Sequence, residues 1–137
     1  MRRGILAGAA AAVAWAAAEP ALGKLYGTTY SELRLLGGLT GRGPRAALAL
    51  HAGNGALFGA LFERLGGRGM VGGVVAAELE NAALWPLMAI VDRVHPDRRS
   101  GAWPALLLNR TVFAYEATGH ALFGAVLGAL LKSRGTA

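Results

Sequence analysis

A chain of 137 residues with 54 % hydrophobic and only 16 % charged residues has room for one domain, and it lacks the polar surface of an ordinary soluble protein. The absence of cysteine excludes disulfides, thiolate metal sites and thiol catalysis. The net charge of +6 does not point to nucleic acid: Lys and Arg fall in the gaps between apolar blocks, where they suit lipid headgroups, rather than in a stripe interleaved with aromatics.

Four apolar blocks, at about 4–23, 45–65, 70–91 and 110–131, each approach the ~20 residues that cross a bilayer as a helix. The first follows Arg2 and Arg3 and carries Glu19-Pro20 near its end. Ala16-Ala17-Ala18 also resembles the end of a secretory signal, but the run from Gly4 to Gly23 is long enough to span. In the gap 24–44, Tyr30 to Leu36 reads as a short interfacial helix with Thr29 or Ser31 as its cap. The second block carries His51 and Asn54 and meets the third through the tight turn Gly66-Gly67-Arg68-Gly69. The third contains Glu78, Glu80, Asn81 and Trp85-Pro86. His95-Pro96-Asp97-Arg98-Arg99 then reads as a turn with a solvated histidine, and Trp103-Pro104 as an aromatic interface anchor. The fourth block holds Glu116 and His120.

The chain reads as a tandem repeat of one helical hairpin. Ala56-Leu57-Phe58-Gly59-Ala60 recurs 65 residues later as Ala121-Leu122-Phe123-Gly124-Ala125, a shift that places His51 over Glu116. Each block has one Gly-xxx-Gly (Gly4/Gly8, Gly55/Gly59, Gly69/Gly73, Gly124/Gly128), which lets helix backbones approach closely. All four pairs fall in the half nearest the termini, whereas Pro20 and Pro86 fall towards the other half and should bend their helices outward. The expected fold is all-α: one transmembrane domain over residues 1–137, a four-helix integral membrane bundle closed at the end bearing the termini and splayed at the other. Arg2, Arg3, Arg64, Arg68, Lys132 and Arg134 crowd the short segments on the terminal side, a density that favours cytoplasmic termini in an inner (plasma) membrane. The raw count, with Lys24, Arg34, Arg42, Arg45, Arg93, Arg98, Arg99 and Arg110 on the other side, does not.

Ionisable groups at membrane depth are costly and commonly functional. Counted from the splayed end, Glu19, His51 and Glu116 lie roughly 6–10 Å deep, Asn54, Glu80, Asn81 and His120 roughly 13–17 Å, and Glu78 deeper. Glu78 and Glu80 project to different sides of their helix and cannot both face one centre. The candidate cavity is therefore Glu19, His51, Asn54, Glu78, Glu80, Asn81, Glu116 and His120. Within it, Glu19, His51, Glu116 and His120 offer oxygen and nitrogen ligands for a divalent metal. The same groups suit a proton path. The bland alternative is polar glue that fixes helix register. Hydrolase, phosphate-loop, zinc-protease and dinucleotide motifs are absent, so an enzyme is expected only as a membrane metal or redox protein.

Glu19-Pro20 closing the first helix, His51 early in the second, a proline-bearing third helix and Glu116-Ala-Thr-Gly-His120 in the fourth resemble the YagU-like inner-membrane proteins of bacteria. The resemblance implies a small helical membrane protein, with an acid-related role inferred from the family alone. It departs from the pattern in its shorter length and in having glutamates in the third helix where a histidine is expected. The functional expectation is proton- or cation-handling transport or channel activity through the Glu/His cavity, with the lipid bilayer as setting and a homodimer or membrane-protein partner completing the path. The alternatives are a metal- or cofactor-binding protein and a structural accessory subunit.

Overall fold

Blocks rich in Ala and Leu, both good helix formers, become helices almost where the hydropathy places them. The computed structural model describes residues 2–132, and among these the elements are α1 (Arg2–Tyr26), α2 (Glu32–Thr40), α3 (Pro44–Arg64), α4 (Gly69–Leu84), α5 (Met88–Val94), α6 (Pro96–Arg99) and α7 (Arg110–Leu130), with no strand. Arg134, counted above with the terminal-side charges, lies outside the described residues. Pro20 sits inside α1 without ending it, whereas Pro86 interrupts the third block, leaving a 3-10 turn at Trp85–Leu87 between α4 and α5. Of the two candidate caps for α2, Ser31 is used, its Oγ accepting from the Arg34 N–H at 3.1 Å. The helix stops at Gly41, whose φ of 62° is the left-handed conformation that glycine adopts without steric cost.

Two helical stretches, Arg2–Tyr26 and Gly69–Val94, are long and apolar enough to cross a membrane. The 21-residue helices α3 and α7 fall short of them, since His51, Asn54, Glu116 and His120 interrupt their apolar runs.

The glycine pairs determine the packing in the half nearest the termini. A methyl at Gly8 would overlap the carbonyl of Gly55, and one at Gly4 that of Gly59, so α1 and α3 lie backbone to backbone. Gly73 meets Gly124 and Gly69 meets Gly128 in the same way across α4 and α7. The pairing slips the repeat by one turn. Gly55 corresponds in packing to Gly124, 69 residues on, so His51 corresponds to His120 and not to Glu116, as the 65-residue sequence match implies. A longer run of identical letters misled the alignment, because backbone approach depends only on the glycines.

The two hairpins do not meet symmetrically. α1 packs against α7 as well as α3, while α3 and α4, although joined by a short turn, stand apart. The other half of the molecule is roofed by α2, α5, α6 and the segment to Asn109. Trp103, Tyr30 and Tyr115 are buried there, with Tyr30 5.0 Å from Trp103 and 5.5 Å from Tyr115 between ring centres. His95 belongs to this roof and is not a solvated turn residue. It is fully buried, its ring stacks on Trp103 at 4.5 Å, and its Nε2 lies 3.3 Å from the carbonyls of Arg34 and Leu35. Its Nδ1 accepts from the Asp97 N–H, which makes Nε2 the donor. An Arg34–Asp97 ion pair at 2.9 Å closes the same junction between α2 and α6.

Candidate functional site

A cavity of about 330 Å³ lies where α3 and α4 make few contacts. α1 supplies Ala12 and Trp15, α3 supplies His51, Asn54, Gly55 and Phe58, and α7 supplies Glu116, His120 and Phe123. Glu80, Asn81 and Leu84 come from α4, Met88 and Val91 from α5, with Trp85 and Leu87 from the turn between them. α2 contributes Glu32, Leu35, Leu36 and Leu39. No lysine or arginine is among the lining residues.

Repeat geometry explains why the opening falls there. At the 65-residue shift that overlays Gly4/Gly8 on Gly69/Gly73, the position of Trp15 on α1 becomes Glu80 on α4. Trp15 seals its side: a methyl at Gly119 would run into the indole, so α1 and α7 close on one another. A carboxylate cannot fill the equivalent volume between α3 and α4, and Glu80 remains half-buried on the cavity wall.

His120 and Trp15 link several of the polar groups. His120 Nδ1 lies 2.9 Å from the Glu116 carbonyl oxygen and 3.5 Å from the Glu116 carboxylate, and its Nε2 lies 3.8 Å from Glu80. The Trp15 ring contacts both imidazoles, 5.0 Å from His51 and 4.6 Å from His120 between centres. Four lining residues present buried polar atoms with no protein partner: Trp15 Nε1, His51 Nε2, Asn81 Nδ2 and Glu116 Oε1. Such atoms cost ~1–3 kcal/mol each when left unsatisfied, and four of them sit on residues that line one cavity.

Glu19 is placed elsewhere. Its carboxylate accepts from Ser31 Oγ at 2.7 Å, from the Glu32 N–H at 2.7 Å and from the Leu33 N–H at 3.3 Å, so it caps α2 from the side of α1 and does not line the cavity. Glu78 also lies off the wall, half-buried on α4, which makes Glu80 the α4 glutamate that lines the cavity. Asn54 reaches the cavity from an exposed position on α3. The expected metal set of Glu19, His51, Glu116 and His120 does not assemble, and among the described residues no group of three histidines or carboxylates converges tightly enough to hold a metal ion. The residue that sequence reasoning missed is Glu32. Burial, then the charges of Glu19 and Glu80, push its carboxyl up to about 7. Its available signal was its place in the first turn after the Ser31 cap.

The chain matches no protein-family model, no curated protein and no solved structure.

Proposed function

We propose that this chain is an integral membrane four-helix protein, with both termini cytoplasmic, that takes up and releases protons or cations in the cavity between α3 and α4. The observation that carries this reading is Glu116, 2 % exposed and with one carboxylate oxygen buried without a hydrogen-bond partner, on the wall of a space that it shares with Glu32, Glu80 and His120 and with no lysine or arginine. An anionic-capable pocket without a fixed counter-charge favours protons or cations over anions.

The membrane setting is supported by the outer surface. Leu6, Leu25, Leu57, Leu61, Leu65, Val71, Leu79 and Leu108 are all more than half exposed, and only 17 % of the most apolar window of Gly69–Val94 is buried. Apolar surface on that scale is paid for in water and costs nothing in lipid. A second copy against the open α3–α4 side would complete the cavity wall and make a homodimer the working unit. The likeness of Glu116-Ala-Thr-Gly-His120 to the YagU-like proteins accords with this setting.

The test is flux. Purified protein in proteoliposomes carrying a pH-sensitive dye is expected to move protons under an imposed cation gradient, with Glu116→Gln abolishing the movement and Glu78→Gln leaving it intact. Equal flux in wild type and Glu116→Gln would refute the reading.

A further inference from the structure

Resting on that reading of the cavity, we infer that its cargo is an amphipathic organic cation, whose charged nitrogen sits among Glu32, Glu80 and Glu116 while its apolar body lies against the leucines of α2 and the aromatic pair Phe58 and Phe123. At about 330 Å³ the space lies at the small end of ligand pockets, which run ~300–1,000 Å³, and is larger than one desolvated metal ion requires.

The lining separates by chemistry. One wall is α2, with Leu35, Leu36 and Leu39, continued by Leu84, Met88 and Val91; on another, Phe58 and Phe123 meet edge to face at 5.4 Å. A hydrated inorganic cation gains nothing from these surfaces, while an alkyl or aryl group buries area at ~25 cal/mol per Å². Carboxylates stand at the polar end, where Glu116 is 2 % exposed and one of its oxygens makes no hydrogen bond. That buried acceptor, independent of the acidic cluster as such, is what makes this a built site. The Phe and Trp faces add attraction for a positive charge and none for an anion. Because α3 and α4 make few contacts, entry on that side would part side chains without unwinding a helix.

Entry of the cation is coupled to a proton. The groups facing Glu116 are Glu19 of α1, Tyr30, Glu32 of α2 and, on its own helix, His120; those facing Glu32 are Glu19, Glu80 and Tyr30. No fixed positive charge is among them, so the carboxyls are neutralised either by a proton or by the cargo. When the cation binds, one O–H bond breaks, the proton leaves to solvent, and the carboxylate left behind pairs with the nitrogen.

The test uses benzyltrimethylammonium, whose charge does not titrate, beside its neutral isostere neopentylbenzene and the anion benzenesulfonate. Isothermal titration on the detergent-purified full chain is expected to show the ammonium binding with release of about one proton. Its affinity should weaken at least about tenfold from pH 8.5 to pH 5.5, as a charged partner is lost to protonation. Glu116→Gln and the half-buried, fold-neutral Glu80→Gln should each weaken binding by a similar factor at pH 8.5. Neopentylbenzene binding as tightly as the ammonium would overturn the inference, leaving a merely apolar pocket; so would benzenesulfonate binding, or no binding of the ammonium by protein that is monodisperse and helical. Proteoliposome flux on the same preparation keeps the two readings apart. Proton flux without ammonium binding refutes the cargo and spares the proton-handling role, whereas binding without flux supports the cargo and refutes transport.

Discussion

Replacing Glu19 separates the two uses that a buried glutamate can have in this fold. In Glu19→Ala, Ser31 Oγ and the N–H of Glu32, both now at 2.7 Å from a carboxylate oxygen, lose that acceptor, and the Leu33 N–H loses a longer contact of 3.3 Å. Hydrogen bonds to a charged group contribute ~1.5–3 kcal/mol each; counting the two short ones, and allowing for water reaching the half-buried Ser31 and Glu32, the loss is about 3 kcal/mol. For a chain of this size that is on the order of 10 °C in Tm. In Glu19→Gln the remaining oxygen still accepts from both N–H groups and the new amide donates to Ser31, so the cost falls to about 1 kcal/mol. Hydrogen exchange should find the amides of Glu32–Thr40 released first in the alanine variant, because the cap anchors α2 to α1. The glutamine variant should keep both α2 protection and cation-driven flux. Loss of flux in Glu19→Gln with α2 protection unchanged would refute the structural assignment and put Glu19 back in the cation path. Unchanged exchange in Glu19→Ala would refute the cap itself.

Glu32 predicts a stability that depends on pH. Its carboxyl is raised from an ordinary 4.5 to about 7, so between those values the folded state holds a proton that the unfolded chain has released. Stability from this group is therefore full below pH 4.5 and falls as pH rises to 7, and Glu32→Gln should flatten a melting-temperature series across that range. Gly8→Ala and Gly73→Ala should each destabilise by about 1–3 kcal/mol or more, since the methyl meets a backbone carbonyl that cannot swing away, while Gly53→Ala, with open space around it, should be neutral or slightly stabilising in thermal melts. His95→Ala should cost more than about 2 kcal/mol by removing the Trp103 stack and the bonds to the α2 carbonyls, and limited proteolysis should then cut near α2.

What could be read from the sequence was the part that depends on local periodicity. Glycines four apart marked the helix crossings, Ser31 marked the start of α2, and Pro86 marked the break in the third block. Pro20 does not interrupt its block, and the chain continues as helix through it. The polar set was named almost completely, yet the role of each member depends on a neighbour distant in the chain. Glu19 reads as a ligand until α2 folds back onto it, and His95 reads as solvated until Trp103 and Gly38 close on both sides of its ring. Glu32 was passed over because its one mark, a place in the first turn after Ser31, fits an exposed glutamate as well as one that borders a cavity.

The division of labour along the helices accounts for how so polar an interior is tolerated. Where the glycines pair, the backbones themselves form the interface and no side-chain volume remains to be filled. That rigid half fixes the spacing of all four long helices, so the other half need not pack tightly to hold the fold. Where the hairpins differ at Trp15 against Glu80, the result is then an opening and not a collapse. Glu80→Trp tests this directly: an indole there should close α4 towards α3 as Trp15 closes α1 on α7. Thermal stability should hold or rise, and both benzyltrimethylammonium binding and proton flux should vanish. If the tryptophan variant is stable and still binds the ammonium, the cavity between α3 and α4 is not where the cation goes.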